Sequence, residues 1–158
     1  MKGSKILISA NPMGLREEGT ITDTSKPGTL MEIVPATAFS QGRPSYRASS
    51  AAAGAKGPRI VLLENWMLGK IYSDAYAANE RCYVYRPNAG DEFNLILGDI
   101  GGTGDAAIAI GDVYGVNTDG KLIRNSSYTS TPFESQEAVA AGLAADYLLW
   151  VKYRGDQA

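Results

Sequence analysis

Arg81-Cys82-Tyr83-Val84-Tyr85-Arg86, then Pro87-Asn88-Ala89-Gly90, then Asp91-Glu92-Phe93-Asn94-Leu95-Ile96-Leu97: the fold class turns on this stretch. Its first six residues alternate Arg and Tyr with Cys and Val, so one strand carries two chemically different faces. Pro87 to Gly90 is tight-turn chemistry. Beyond it, Phe93, Leu95 and Leu97 share one face of a second strand. Working outward, Arg59-Ile60-Val61-Leu62-Leu63-Glu64 is a short continuous apolar run, the pattern of a strand covered on both sides. Ala106 to Ile110 and Val113 to Val116 read as short strands. Asn117-Thr118-Asp119-Gly120 reads as a hairpin turn, with Gly120 able to take a positive φ. Lys121-Leu122-Ile123-Arg124 leads away from it. Short strands at this spacing predict an all-β body, either a small barrel or a sandwich.

The C-terminal end carries two patterns. Ser135 to Trp150 is rich in Ala, Leu and Glu, which favours helix, although Gly142 interrupts it. Tyr147-Leu148-Leu149-Trp150-Val151-Lys152-Tyr153 is strongly β. The pattern favours two strands, Phe133 to Val139 and Tyr147 to Tyr153, joined over Ala140 to Asp146. Trp66 to Lys70 and Asp74 to Asn79 each have room for a short helical turn.

Upstream the chain changes character. Residues 1–60 hold five of the seven prolines and two of the fourteen aromatics, Phe39 and Tyr46. They carry a net +4, against −6 for residues 61–158. Asn11-Pro12, Lys26-Pro27-Gly28, Gly42-Arg43-Pro44 and Gly57-Pro58 punctuate them. Thr29 to Val34 reads as a strand, Ser45 to Ala48 as a short one, and Ser49 to Gly57 as a loop. Ile6, Leu7, Ile8, Met13, Leu15 and Ile21 follow neither the helical nor the strand period. The expected organisation is an extended, Pro/Gly-rich N-terminal arm over 1–58 and a β-rich body over 59–158. Such an arm buries its apolar residues on a partner and meets its ordering cost on binding.

Composition narrows the chemistry. There is no histidine, which removes the usual general base and the commonest metal ligand. Ser-His-Asp and Cys-His catalysis are excluded, as are ordinary zinc sites. Cys82 is alone, so no intrachain disulfide forms, and its β-type surroundings mark it as a small core residue. The net charge of −2 gives no reason to expect nucleic acid as a partner. No apolar run approaches the roughly 18–20 residues of a membrane span. Met1 to Ile8 is too short in apolar residues for a signal-peptide core, so an intracellular site of synthesis and use is expected.

The motifs that resemble sites fail on inspection. Gly115-Val116-Asn117-Thr118-Asp119-Gly120-Lys121 has phosphate-loop spacing, but Leu122 stands where Ser or Thr would meet the metal. Asn117 to Gly120 also resembles part of a calcium loop, but Gly115 and Ser126 occupy positions that need carboxylates. Gly98-Asp99-Ile100-Gly101-Gly102-Thr103-Gly104-Asp105 reads as an inter-strand loop. The adjacent carboxylates Glu17-Glu18 and Asp91-Glu92 point opposite ways on extended backbone. No enzyme activity and no cofactor are expected.

An ordered series of short segments resembles the capsid decoration, or cement, proteins of tailed bacteriophages. The series begins with Ser9-Ala10-Asn11-Pro12-Met13-Gly14, then Glu17, Glu18 and Thr20-Ile21, then Lys26-Pro27-Gly28-Thr29-Leu30-Met31-Glu32-Ile33. It continues with Gly42-Arg43-Pro44-Ser45-Tyr46-Arg47-Ala48, Leu68 to Tyr76, and Pro87 to Leu97. Ile110-Gly111-Asp112, Gly120-Lys121-Leu122-Ile123 and Pro132-Phe133 complete it. It covers nearly the whole chain, and each piece alone is only turn chemistry plus a strand. The aromatic neighbourhoods of Trp66 and Trp150 have no counterpart.

The resemblance implies a non-enzymatic virion protein on the outer surface of the capsid, assembled in the host cytoplasm. Its partners would be the major capsid protein and further copies of itself, as a homotrimer, with no nucleic acid and no membrane. The expected capsid contacts in the arm are Ile6, Leu7, Ile8, Asn11, Pro12, Met13, Leu15 and Ile21. Tyr and Trp are enriched in interfaces, so Trp66, Tyr72, Tyr76, Tyr83 and Tyr85 are the candidates for contacts between subunits. Deleting residues 1–27 is expected to leave the body folded and to abolish capsid binding. The competing class is a receptor- or carbohydrate-binding β-module of a tail or fibre.

Overall fold

A computed structural model describes residues 5–10, 15–34, 42–50, 60–98, 107–124, 132–144 and 146–155. Eleven strands are found among them: β1 (Leu7–Ser9), β2 (Leu15–Ile21), β3 (Leu30–Ile33), β4 (Ser45–Ala48), β5 (Ile60–Leu62), β6 (Arg81–Arg86), β7 (Glu92–Ile96), β8 (Val113–Val116), β9 (Leu122–Arg124), β10 (Phe133–Ser135) and β11 (Leu148–Tyr153). They make a closed barrel, in the order β2-β4-β3-β5-β6, and a six-stranded sheet, in the order β1-β7-β11-β10-β8-β9. The all-β expectation and the barrel are both met.

The barrel and the sheet share a wall. Along β5, Ile60 and Leu62 point into the barrel with Ile21, Met31, Tyr46, Tyr76, Cys82 and Val84. Val61 and Leu63 point the other way, into the core under the sheet, with Phe93, Leu95, Tyr114, Phe133, Leu149 and Val151. Both faces of β5 are covered, which is why its sequence runs apolar without alternation. Leu30 and Met31 divide in the same way on β3, and Tyr85 and Val84 on β6. At the far end of the sheet an isolated parallel bridge joins Leu97 to Leu122. The Gly98 N–H donates to the Leu122 carbonyl there at 2.8 Å. The sheet therefore curls until the end of β7 meets β9.

The turn between the two deciding strands carries the chain from barrel to sheet. β6 pairs with β2 and β5, whereas β7 lies between β1 and β11. Asp91 fixes this corner: its Oδ2 accepts the Tyr85 hydroxyl at 2.9 Å and the Asn88 N–H at 2.7 Å. The Tyr85 and Phe93 rings pack 5.8 Å apart beneath it.

The expected arm is corrected by this topology. β2 pairs with β6 along six residues and with β4 in parallel, so residues 15–21 close the barrel. β3 and β4 supply two more of its strands, and β1 is the outer strand of the sheet. Residues 1–58 therefore do not separate from 59–158, and removing residues 1–27 would open the barrel. The physical reason is nonlocal pairing, which recruits segments that show no period of their own.

Smaller differences follow from local chemistry. Phe133 to Val139 stops as a strand at Ser135, whose hydroxyl donates to the Glu137 carbonyl at 2.8 Å and bends the chain away. Of Ala106 to Ile110, the described residues offer only the single bridge from Ile108 to Val139. No helix occurs among the described residues of 136–147 or at 74–79, whereas Trp66–Leu68 forms the short 3-10 turn for which the sequence had room. Residues 51–57 and 99–105, read as loops, lie outside the described residues.

Candidate functional site

The residues expected to touch a capsid do not share one surface. Ile6 and Ile21 are fully buried, one in the sheet core and one in the barrel. The Ile6 N–H donates to the buried Glu64 carboxylate at 2.6 Å, and its carbonyl accepts the Asn94 N–H at 2.8 Å. The Asn94 side chain also donates to the Lys5 carbonyl at 2.7 Å. Lys5 and Ile6, just before β1, are thus stapled into the molecule. Leu7 packs half-buried on the sheet core, while Ile8 and Leu15 are exposed. Asn11, Pro12 and Met13 lie outside the described residues.

The aromatic candidates divide likewise. Tyr76 and Tyr85 are core residues, which corrects their expected place between subunits. The Tyr76 hydroxyl donates to the Leu63 carbonyl at 2.8 Å, and burial raises its pKa well above the ordinary phenol value. Burial, then the Asp91 carboxylate, push Tyr85 up to about 12. Tyr83 is half-buried, with its hydroxyl 3.6 Å from the Met67 sulfur and the Arg16 guanidinium 6.0 Å from its ring centre. Trp66 and Tyr72 are exposed.

Trp66 and Tyr72 belong to a surface crest between β5 and β6. Asn65 and Lys70 exchange two backbone hydrogen bonds, at 3.1 and 2.9 Å, and close the base of the loop. The Asn65 side chain caps the 3-10 turn by accepting the Leu68 N–H, and Gly69 ends it in the left-handed conformation at φ 70°. Asp74 accepts the Ile71 N–H at 3.2 Å. The Lys70 ammonium is held by the Ala75 carbonyl at 3.0 Å and by Glu80 at 3.1 Å. The Ala77 N–H, and then Lys70, hold Glu80 below the usual carboxylate range. On this fixed loop Trp66 is 62% exposed, Met67 83% and Leu68 51%, with Ile71 and Tyr72 beside them. Sequence reasoning missed Met67, Leu68 and Ile71. The available signal was a bulky apolar triplet between a capping Asn and a terminating Gly, with no periodic partner.

Two polar features complete the surface. On the barrel, Glu17 accepts the Arg86 guanidinium at 2.7 Å and the buried Tyr46 hydroxyl at 2.7 Å. Arg86 holds its carboxyl below the usual range, against desolvation. Between barrel and sheet lies a cleft of about 450 Å³, lined in part by Asp23, Thr29, Ala48, Lys121 and Asp146. Asp146 accepts Lys26 at 2.8 Å and Lys121 at 2.9 Å, and these two hydrogen bonds lower its pKa. Among the described residues no three His, Cys, Asp or Glu side chains gather as a metal site. Burial pushes the Cys82 thiol up to about 12, so it stays protonated in the barrel core. No described helix is long and apolar enough to cross a membrane.

The class defined by these observations is a two-part all-β fold, a closed five-stranded barrel sharing its wall with a curled six-stranded sheet. This fold is similar to the crystal structure of the head fiber gp8.5 N base in bacteriophage phi29. The TM-score is 0.53, with 11% sequence identity, over 89% of this chain and 94% of that one. At that identity the likeness is one of fold. No family model and no curated protein matches the chain.

Proposed function

We propose that the chain is a non-enzymatic structural protein of a tailed-phage head. In this reading it sits on the outer surface of the shell and stabilises it by clamping neighbouring major capsid subunits, as a homotrimer. It does so without a cofactor and without binding nucleic acid or membrane. The observation that carries the reading is the fold held in common with a phage head fiber base over most of both chains. The ordered series of segments resembling decoration proteins supports it from the sequence side. A packed head pushes outward, and a clamp resists by burying surface on several subunits at once. Apolar burial stabilises by roughly 25 cal/mol per Å², and repetition around a trimer multiplies it through effective concentration.

The test is the stability of the head itself. Heads assembled without the chain are heated with and without it while DNA release is followed. Added protein should raise the release temperature, and its mass in solution or on the shell should be three times the 16.8 kDa chain. Unchanged release at saturating protein would sink the reading. The rival reading, a receptor- or carbohydrate-binding module, has one feature in its favour. The cleft at Asp23, Lys26, Lys121 and Asp146 has the size of a small-ligand site, and saturable glycan binding lost on substitution there would support it.

A further inference from the structure

We infer that Met67 is an oxidation site: a peroxide converts its thioether to the sulfoxide, and the crest from Trp66 to Leu68 turns polar while the barrel and the sheet stay folded. The inference concerns the chain alone and does not depend on what the protein binds.

Three sulfur atoms belong to the described residues, those of Met31, Met67 and Cys82. Met31 and Cys82 are both fully buried in the barrel core. Burial also pushes the Cys82 thiol up to about 12, so it lacks the thiolate that peroxides attack. Met67 is 83% exposed. An oxidant in water therefore reaches Met67 directly, and reaches the other two only when the barrel opens. Oxidation replaces a flexible apolar side chain by a polar one. At Met31 that would disrupt the barrel core, whereas at Met67 the new oxygen stands in water.

Hydrogen peroxide is the only co-reactant the step needs. A sulfur lone pair attacks one peroxide oxygen, and the S–O bond forms as the O–O bond breaks. The departing hydroxide takes the proton from the new S–OH group and leaves as water. Sulfur is oxidised and the peroxide is reduced.

The surroundings accommodate the product. The Tyr83 hydroxyl donates to the Met67 sulfur at 3.6 Å, and a thioether is a weak acceptor. The sulfoxide oxygen, carried on the same sulfur, gives that hydroxyl a stronger one. The loop is fixed by the Asn65–Lys70 backbone pairing, the Asn65 cap on the Leu68 N–H and the left-handed Gly69. None of these contacts involves the Met67 side chain. The change is therefore one of surface character, and a methionine sulfoxide reductase can reverse it.

The test treats the folded protein with hydrogen peroxide and follows each methionine peptide by mass spectrometry. Melting temperature and retention on a hydrophobic-interaction column are measured beside it. Met31 reacts through opened molecules, about 10⁻³ of the population or fewer, so Met67 should oxidise at least about tenfold faster. Retention should fall, and the melting temperature should hold within about 2 °C. A methionine sulfoxide reductase should restore the retention, and Met67→Leu should lose most of the shift. Met31 oxidised as fast as Met67, Met67 left unreacted, or an equal shift in Met67→Leu would each overturn the inference. So would unchanged retention, or a melting temperature that falls by more than about 2 °C once Met67 is oxidised.

Discussion

Replacing Gly120 by Ala tests the junction on which the shared wall depends. Gly120 lies in the turn between β8 and β9 with φ +69°, and a Cβ there would sit 2.3 Å from the Leu30 carbonyl oxygen and 2.8 Å from Thr29 Cγ2. That carbonyl accepts the Ser49 N–H at 2.9 Å, and the Leu30 N–H donates to the Gly120 carbonyl at 2.7 Å. The turn cannot retreat without stretching the bond that ties the sheet to β3. Left-handed backbone costs a non-glycine residue about 1 kcal/mol, overpacking about 1–3, and a weakened hydrogen bond about 1. The expected loss is about 3–5 kcal/mol, a large share of the roughly 5–15 kcal/mol that holds a domain of this kind. For a chain of this length that corresponds to a melting temperature lower by about 6–20 °C. Gly142→Ala is the control, since Gly142 has φ +87° but nothing within 4 Å of its Cβ position. It should carry the backbone cost alone, about 2–4 °C. Circular dichroism melts of the two variants decide the matter, and melting temperatures within about 2 °C of each other would refute the steric argument.

Two other predictions concern titration. Asp146 has a depressed pKa in the fold, so its pairing with Lys26 and Lys121 stabilises above the unfolded carboxylate pKa and is lost as pH falls through the folded value. Acid titration of stability should therefore flatten below about pH 5 in Asp146→Asn relative to wild type. The pair is partly exposed and screened, so the difference should stay under about 1 kcal/mol. An identical acid limb in both proteins would contradict the pairing. Cys82, buried and with its pKa pushed up to about 12, should resist an aromatic disulfide reagent at pH 8 in the folded protein and react once guanidinium unfolds it. Fast reaction in native buffer would show that the barrel core opens.

Strands with both faces buried, or with a clean two-face alternation, were legible. Ile60 to Leu63 and Arg81 to Arg86 could be read because their side chains report their surroundings directly. β2 could not, and Gly19 explains why. A Cβ at Gly19 would lie 2.3 Å from the Tyr46 ring, because that ring, supplied by β4, fills the space beneath β2. β2 therefore needs no large side chain there; Arg16 and Glu18 serve the outer surface, while Glu17, on the face of Gly19 and Ile21, accepts the Tyr46 hydroxyl and pairs with Arg86. The strand shows no period because its neighbour does the filling. The parallel pairing of Thr20 with Ser45 is nonlocal and leaves no mark in either segment. Tyr76 and Tyr85 were misplaced for a related reason. A tyrosine reads alike at an interface and in a core, and only the Leu63 carbonyl and Asp91 reveal that their hydroxyls are satisfied inside. The crest was half visible, as Trp66 and Tyr72, and the capped loop that gathers Met67, Leu68 and Ile71 around them was not.

The measurement that bears most directly on the head-protein account is co-sedimentation of the purified protein with expanded heads assembled without it, titrated to saturation. The account predicts that the protein pellets with the heads and saturates near one copy per capsid subunit, with a trimeric mass free or bound. A stable monomer that stays in the supernatant at every ratio would contradict it.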